Sequence, residues 1–416
     1  MSEAVPKIEG HAAFYAHLRN GQVDKAQIIG LENDRFVEKI LLGRKYYEAP
    51  IITSRICGIC PTIHNVTATK GIEAACGIIP TEQTNRLRKL MLCGQMIQSH
   101  SLHLYLLVLP DFYGLSSSFE LQKNHPEIFK KAISLKQYAD SILDTIGGRA
   151  VHPIANVPGG FKSYPSKDDL KKLLEKSTEI IETARETVLL FKSFTYPKVS
   201  QKVIYSALHN RKDYSFYDGD IANSKGKEFP AKNYRHYLNE ELRPYTRAKF
   251  ATLKGYEMMV GAMARMNLGR QFMGEEVHRL LNELEIIEDF DNPFDNVMAQ
   301  AIENYYFAVE SNKLVKYFIE NGIDKKEPVK LPNGFSSGVG ACEAPRGTLF
   351  HYYKLDKDGF IIECDIITPT VQNLATMELS IKSLGPIIKD LNKEERNKTI
   401  EMLIRAYDPC ITCATH

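Results

Sequence analysis

Residues 55–60 read RICGIC, and residues 408–416 read DPCITCATH. Each stretch contains a C-x-x-C pair, in a chain that has only 8 cysteines among its 416 residues. This spacing lets two sulfurs of one turn converge on a single point, and four thiolates form a soft site that suits zinc, an iron–sulfur cluster or another thiophilic metal. If both pairs bind one metal, the fold must bring the two ends of the chain together. The four cysteines are Cys57, Cys60, Cys410 and Cys413.

Structural zinc is the usual meaning of two such pairs. Zinc ribbons, however, separate their pairs by about 15–20 residues, and a core as large as this one needs no metal to hold it together. A thiol redox site is less consistent still, because it needs one pair in a βαβ setting. His64 follows the first pair, and His416 follows the second at a similar offset. An imidazole at either place can hydrogen-bond a ligand sulfur and tune the metal.

The composition is that of a soluble globular protein, with 44% hydrophobic and 25% charged residues and a net charge of +2. This charge gives no reason to expect nucleic acid or an anionic membrane as a partner. The most apolar stretch, residues 101–110, is too short to be a transmembrane segment. The first ten residues lack the pattern of a signal peptide. We therefore expect a cytoplasmic protein, in which cysteines are metal ligands or catalysts more often than disulfides.

The pattern of apolar residues predicts a mostly α (α+β) fold, in which a bundle of long helices forms the core and small antiparallel β elements lie at the periphery. One long helix is expected from Pro80-Thr81 to Pro110, and another before Asp408-Pro409. Four more are expected near 126–146, 166–194, 294–321 and 373–391.

We expect a single domain over residues 1–416, because no repeat or linker interrupts the chain. An N-terminal β unit over about residues 1–35 contains a hairpin signal at Asn20-Gly21. The interval of about 205–250 is rich in Gly, Asn, Asp, Lys and Tyr, which is typical of a loop-rich insertion with short strands. A second hairpin is predicted within residues 347–369, with the turn DKDG.

RICGICPTIH and DPCITCATH together resemble the paired signatures of the [NiFe] hydrogenase large subunit. In that family the signatures are R-x-C-G-x-C-x-x-x-H near the N-terminus and D-P-C-x-x-C-x-x-H at the C-terminus, and both match here. The resemblance extends to several points between them, so it spans nearly the whole chain. It implies the hydrogenase large-subunit fold and the reversible heterolytic cleavage of H2 into protons and electrons.

The resemblance implies a Ni-Fe(CN)2(CO) centre. Cys57 and Cys410 would be terminal nickel ligands, whereas Cys60 and Cys413 would bridge nickel to an iron that carries carbon monoxide and cyanide. His64 would lie beside this cofactor. A metal that performs chemistry also explains why distant segments converge on it.

Other positions match functional residues of the family. Glu9, in KIEGH, matches the glutamate that exchanges protons with a terminal cysteine, and a carboxyl group beside a thiolate suits that role. Arg346, in EAPRG, matches an arginine above the open position of the metals. Thr370 matches a hydroxyl that hydrogen-bonds a cyanide. Asp408 matches the carboxylate that precedes the terminal cysteine and is expected to pair with Arg346.

A second metal ion is also implied. Glu38, in RFVEKILLGR, matches a carboxylate that binds Mg2+. His416 would add an imidazole nitrogen to that ion, and the backbone carbonyl near Ile366 would add an oxygen. Oxygen ligands suit magnesium, whereas a histidine ligand is less typical of it.

Two departures indicate which branch the chain resembles. Ser99 stands where membrane-bound and periplasmic members have an aspartate, and ITPTVQN lacks their tryptophan. QSHSLHLY, with CATH at the end, resembles instead the cytoplasmic multimeric branch, which couples H2 to NAD(P), ferredoxin or a deazaflavin. His100 and His103 are interpreted as polar groups of the helix core rather than as relays.

The remaining cysteines show no pairing pattern, and neither G-x-G-x-x-G nor a Walker sequence is present. We therefore expect electrons to leave through another subunit. We predict that this partner is an iron–sulfur small subunit, docked over a contact of roughly 2,000 Å² or more, and that further diaphorase-type subunits carry flavin or more clusters. A hydrogenase linked to F420 or to heterodisulfide reductase remains an alternative, as does a zinc-stapled scaffold without catalysis. A relative of the quinone-site subunit of complex I fits less well, because that branch lacks the four cysteines.

In this family the precursor carries a C-terminal extension that is removed after the histidine, so the resemblance implies that the chain ending at His416 is the mature form.

Overall fold

Long helices form the core of the computed structural model, which describes residues 2–199 and 201–416. The helices are α1 (Val37–Leu41), α2 (Ala49–Thr53), α3 (Pro61–Cys76), α4 (Glu82–Leu102), α5 (Leu109–Phe112), α6 (Ser118–Asn124), α7 (Pro126–Gly147), α8 (Lys167–Lys192), α9 (Ala262–Gly269), α10 (Glu275–Glu283), α11 (Asp295–Asn321), α12 (Pro369–Ser383), α13 (Gly385–Ile388), α14 (Lys393–Ala406) and α15 (Ile411–Ala414). α11 packs against α8 and α4, and α4 also packs against α7. The predicted helix-bundle core is thereby confirmed.

Local sequence explains where these helices begin and end. The Thr81 hydroxyl accepts a hydrogen bond from the Thr84 amide at the start of α4, and the Ser166 hydroxyl accepts one from the Asp169 amide at the start of α8. α7 is followed by Gly148, which adopts a left-handed conformation with φ of 78°. The helices predicted near 126–146, 166–194 and 294–321 are confirmed. The one predicted near 373–391 begins earlier, at the start of α12, and is interrupted before α13.

The long helix predicted up to Pro110 is present, but it ends at Phe112 and is not a regular α-helix throughout. The chain continues from α4 through a π-helical segment, His103–Val108, into α5. Proline lacks the amide hydrogen that the regular ladder requires, and the wider π-helical turn directly precedes it. Among the described residues, no helix combines the length and the apolar character needed to cross a membrane.

Small sheets flank the bundle. Their strands are β1 (Glu3–Val5), β2 (Ala12–Arg19), β3 (Gln22–Gly30), β4 (Asn156–Val157), β5 (Gly160–Phe161), β6 (Ile204–His209), β7 (Asp220–Asn223), β8 (Glu228–Phe229), β9 (Leu238–Leu242), β10 (Lys249–Leu253), β11 (Met258–Met259), β12 (Ser337–Ala344), β13 (Gly347–Leu355) and β14 (Ile361–Ile367). β1, β2 and β3 form an antiparallel sheet. Its hairpin turns at Asn20-Gly21, where both residues have positive φ as a tight hairpin turn requires.

The second predicted hairpin is confirmed as β13 and β14, and β12 adds a third antiparallel strand that the sequence did not predict. The interval of about 205–250 contains β6 to β9, and β10 begins within it. β6 also pairs with β11, in parallel rather than antiparallel orientation. Tyr214, Phe216 and Phe250 are buried in the core, so this part of the chain contributes to the interior as well as to the surface.

The helix that follows the first cysteine pair, α3, packs directly on β12 and β13. Two glycines of β12 allow this close approach. A Cβ atom on Gly338 would lie 2.2 Å from the Ala75 nitrogen, and one on Gly340 would lie 2.1 Å from the Thr67 oxygen. The backbone of α3 is therefore pressed against the sheet, which fixes how far the start of this helix stands from β13.

Candidate metal centre

The two cysteine pairs meet in the interior. The Sγ atoms of Cys57 and Cys410 lie 3.4 Å apart, and those of Cys60 and Cys413 lie 3.6 Å apart. All four sulfurs lie within 4.8 Å of one another, and every one of these side chains is buried. The convergence that the two motifs predict is therefore present in the fold.

Local backbone structure presents the first pair. Cys57 is extended, and Cys60 directly precedes Pro61, the first residue of α3. The amides of Ile59 and Cys60 both donate to the Cys57 sulfur, over 3.3 and 3.4 Å. Because the proline needs no amide partner at a helix start, the tight turn runs directly into α3.

The second pair is held by elements far away in the sequence. The Cys410 amide donates to the Thr370 hydroxyl at the start of α12, over 3.0 Å. On the other side, the Ile411 amide donates to the Glu9 carbonyl over 3.1 Å, in an isolated parallel bridge. Hydrogen bonds from the Cys410 and Cys413 thiols hold the pKa of Cys57 well below its usual value, whereas burial raises the pKa of Cys410.

Glu9 reaches the sulfur of the second pair. Its Oε2 atom lies 3.0 Å from the Cys410 Sγ atom and also accepts from the Thr412 amide over 3.2 Å. The Thr412 hydroxyl donates to Oε1 over 2.5 Å. Three contacts thus fix the carboxylate against the terminal thiol, and the Glu9 side chain is only half-buried. This carboxylate is the one that sequence reasoning assigned to proton exchange.

Arg346 lies in the turn between β12 and β13 and pairs with Asp408, as expected. Its Nη2 atom donates to Asp408 Oδ1 over 2.8 Å, and its Nε atom donates to the Asp408 carbonyl over 2.6 Å. The third nitrogen, Nη1, is buried and has no hydrogen-bond partner among the described residues. A buried orphan donor of this kind is costly unless a ligand satisfies it.

A small cavity lies beside the sulfurs. Arg346 and Thr370 supply polar groups to it, and its apolar lining includes Ile63, Pro345 and Leu349. Because the Thr370 oxygen accepts from Cys410, its hydroxyl hydrogen remains available as a donor. Structural zinc sites are closed and tetrahedral. An open cavity with an orphan guanidinium nitrogen fits instead a metal centre that carries small additional ligands.

His64, on α3, also contacts the second pair. Its Nε2 atom lies 3.7 Å from the Cys413 sulfur, and its Nδ1 atom lies 3.2 Å from His351 Nε2. His351 Nδ1 in turn lies 2.7 Å from the Tyr353 hydroxyl. Burial lowers the pKa of His64 to about 3, so this imidazole is neutral. Sequence reasoning missed His351, although its alternation with Tyr353 on the predicted hairpin places both on one face.

The residues expected to bind magnesium also converge. His416 Nε2 lies 2.9 Å from the Ile366 carbonyl oxygen and 3.8 Å from Glu38 Oε1, which also accepts from the Ile366 amide. Sequence reasoning missed two neighbours here. The Lys249 ammonium lies 3.2 Å from Glu38 Oε2 and 3.7 Å from Glu240 Oε2. Burial raises the pKa of Glu240 to about 7.

Comparisons with known proteins agree with this geometry. The sequence model for nickel-dependent hydrogenases matches residues 35–141 and 195–416. The alpha chain of sulfhydrogenase 2 from Pyrococcus furiosus is 34% identical over 411 residues, covering 99% of this chain and 97% of that protein. An F420-non-reducing hydrogenase chain from Methanothermobacter thermautotrophicus is 31% identical over 453 residues, covering 100% and 94% respectively.

A solved structure of an NAD+-reducing [NiFe]-hydrogenase in the H2-reduced state superposes with a TM-score of 0.89 at 26% identity, covering 100% of this chain and 98% of that one. The chain therefore belongs to the nickel-dependent hydrogenase family, as a large, catalytic subunit that acts on H2. The four buried cysteines fit the nickel–iron centre of this family. The resemblance drawn from the two motifs is thus confirmed.

Proposed function

We propose that the chain cleaves H2 reversibly and heterolytically, at a nickel–iron centre held by its four cysteines, and passes the electrons to an iron–sulfur small subunit. The observation that carries this proposal is the convergence of the four sulfurs within 4.8 Å beside an orphan guanidinium nitrogen. When bound, the centre supplies a soft, redox-active site that binds and polarises H2. Cys57, Cys60, Cys410 and Cys413 would together hold the nickel and the iron.

The proton leaves through this chain's own residues. Cys410 Sγ and Glu9 Oε2 lie within direct transfer distance, at 3.0 Å. Glu9 also accepts hydrogen bonds from Thr412, so the carboxylate is held at this distance and needs no side-chain rearrangement before the transfer. Its partial exposure supports the further passage of the proton towards water. Glu9 is therefore the proposed acid and base of the reaction.

Arg346, Thr370 and His64 are the proposed partners of the cofactor. Arg346 and Thr370 both line the cavity, and the free Nη1 donor of Arg346 and the Thr370 hydroxyl can each donate a hydrogen bond to a small ligand such as cyanide. Asp408 balances the charge of Arg346 and holds its other two nitrogens. His64 contacts the Cys413 sulfur as a neutral ring, which can tune a ligand without displacing it.

A magnesium ion held by Glu38, the Ile366 carbonyl and His416 is part of the same proposal. His416 Nε2 lies within 3.8 Å of an oxygen from each of the other two groups. Lys249 is a single positive charge that faces the carboxylates of both Glu38 and Glu240. When both carboxylates are ionised, the cluster has an excess of negative charge, which a divalent cation would balance, and such a cation would itself favour the ionised form of Glu240. His416 Nδ1 also lies 2.7 Å from the Cys413 carbonyl oxygen, so this ion would brace the second cysteine pair.

The electrons would leave through the surface beside the first cysteine pair. Gly58, between the first two cysteines, is exposed and has open space beside its Cα atom. Val151 and Ile154 are each 40% exposed on the adjoining loop, which is tied to this region by a 2.9 Å contact between His152 Nδ1 and the Ser54 carbonyl. We name Gly58, Val151 and Ile154 the exit face. Apolar residues beside a buried redox centre suit the docking of a cluster-bearing subunit.

NAD(P) or ferredoxin is the proposed final acceptor, through diaphorase-type subunits that carry flavin or further clusters, in the cytoplasm. Support comes from the similarity to the NAD+-reducing [NiFe]-hydrogenase and from the resemblance of QSHSLHLY and CATH to the cytoplasmic branch. Linkage to F420 or to heterodisulfide reductase is the alternative. The similarity to a relative named as an F420-non-reducing hydrogenase makes F420 the less favoured of these acceptors.

The test is to purify the native complex without oxygen and measure its metals, its infrared spectrum and its acceptors. We expect one nickel and one iron per chain in the centre, infrared bands of metal-bound carbon monoxide and cyanide, and H2-dependent reduction of NAD(P)+ or ferredoxin. Stoichiometric zinc without nickel would refute the catalytic centre. Reduction of F420 alone would refute only the proposed acceptor.

A further inference from the structure

Asp408 has a backbone conformation that is uncommon for a residue other than glycine. Its φ is +51°, in the left-handed region, although it is not a glycine. Residues in this region need surrounding contacts to hold them, at a cost of about 1 kcal/mol or more. The side chain is buried and carries the charge that Arg346 faces. What fixes Asp408 therefore also fixes the guanidinium beside the cysteines.

Both oxygens of the Asp408 carboxylate accept hydrogen bonds. Oδ1 accepts from Arg346 Nη2, whereas Oδ2 accepts from the Gln300 side-chain nitrogen over 3.1 Å. A carboxylate can only accept, so the amide group of Gln300 must present its NH2 end to Asp408. The Gln300 oxygen then faces away from Asp408. Gln300 is fully buried on α11.

His103 completes the chain of contacts. Its Nδ1 atom lies 2.5 Å from the Gln300 oxygen, and its Nε2 atom lies 2.7 Å from the Arg405 carbonyl. His103 is buried and is the first residue of the π-helical segment. A neighbouring contact, between His100 and Glu303, belongs instead to the buried Arg265 network. The two histidines thus have separate partners. His103 leads to Asp408 through Gln300, and its Nε2 atom also lies 3.8 Å from Asp408 Oδ1.

We propose that Gln300 and His103 are positioning residues for the Asp408–Arg346 pair, and that they keep Arg346 Nη1 directed at the cavity. A guanidinium has five donors in a fixed plane, so two contacts with Asp408 determine where the remaining nitrogen points. If Asp408 rotates, the plane rotates with it. The effect of these residues on turnover rests on the proposed function. Their effect on the position of Arg346 does not, because it can be seen in the protein structure alone.

The test uses Gln300→Leu, which removes both hydrogen bonds at similar volume, with His103→Gln as a second variant. Asn304→Leu is the matched control, because Asn304 is a buried amide one turn further along α11 that donates to Ser101. Crystal structures of the complex should show that the contact between Arg346 Nη2 and Asp408 Oδ1 is lost in Gln300→Leu and kept in Asn304→Leu. His103→Gln should weaken the same contact.

Turnover provides the second readout. We expect kcat to fall about 10- to 100-fold in Gln300→Leu, as is typical for residues that orient a metal site, with KM for H2 unchanged. In an Arg346→Lys background, Gln300→Leu should add less than about twofold, because the two residues act through one contact. An unchanged Arg346–Asp408 contact, or a kcat equal to that of Asn304→Leu, overturns the proposal. If no variant or wild-type protein cleaves H2, the proposed function fails, whereas the crystal structures still decide the positioning role.

Discussion

Glu9 and Cys410 are joined twice, once by a 3.0 Å contact between carboxylate and sulfur and once by a backbone bridge between their segments. The bridge places the carboxylate beside a thiol that is 401 residues away in the sequence. The backbone bridge thus sets the distance between the two segments, and the Glu9 side chain then reaches the thiol.

Replacing Glu9 with Gln should strongly slow proton exchange while keeping one of the two hydrogen bonds from Thr412. We expect turnover and the exchange of H2 with deuterated water to fall by at least about 100-fold, the usual contribution of a general acid or base. Metal content and infrared bands should not change. Glu3→Gln, on β1 of the N-terminal sheet, is the control and should keep full activity. Normal exchange in Glu9→Gln would show that another group carries the proton.

Replacing Cys60 with Ser should remove one soft ligand from the centre. A hydroxyl binds nickel and iron far more weakly than a thiolate, so we expect the nickel and iron content, measured by mass spectrometry, to fall to background. Cys76→Ser is the matched control, since Cys76 is also fully buried but lies at the far end of α3. Equal metal content in the two variants would contradict the assignment of Cys60.

Glu38→Gln should remove the charge on which the magnesium site depends. We expect magnesium to be lost on dialysis from this variant but retained by the wild type, together with a lower melting temperature, because the ion would brace the second cysteine pair. Glu363→Gln, on the same strand as Ile366 but in a surface ion pair with Arg235, should behave as wild type. Magnesium retained in Glu38→Gln would rule out this carboxylate as a ligand.

Val151→Glu should weaken the docking of the small subunit. A buried, unpaired charge in an interface costs about 2–5 kcal/mol, so we expect recovery of the small subunit in affinity purification to fall at least about tenfold. Leu189→Glu is the control, because Leu189 is 37% exposed, close to the 40% of Val151, but lies on α8. Equal recovery in both variants would place the interface elsewhere.

Arg88→Met should reduce stability without touching the metal centre. Arg88 donates to both oxygens of Glu73, over 2.7 and 2.8 Å, and both residues are buried. Removing one partner of a buried pair typically costs about 3–5 kcal/mol, which chemical denaturation can measure. Arg211→Met breaks a largely exposed pair with Glu228 and should cost less than about 1 kcal/mol. A similar loss in both variants would show that burial does not decide the outcome.

Much of the fold and of the centre could be predicted from the sequence, because the signals are local. Helices begin after hydroxyl caps such as Thr81 and Ser166. The spacing of the two cysteine motifs identifies the four cysteines as metal ligands. Gln300, His351 and Lys249 could not be found in this way. Each reaches the site through the packing of distant elements, and even the alternation of His351 with Tyr353 gives no sign that His351 meets His64. The π-helical segment before Pro110 escaped for a related reason, since apolar periodicity carries no signal of a one-residue change in helical register.

The two glycines of β12 affect how inactivating mutations of this protein would be interpreted. Because the backbone of α3 touches Gly338 and Gly340, a single methyl group there must push the helix outward, and Cys60 and His64 move with its first turns. The Gly340→Ala variant would then retain less nickel, although the altered residue touches no metal. In a screen for inactive variants, substitutions at these positions would be classified as defects in cofactor binding. The structure shows that they instead change the spacing between α3 and β12.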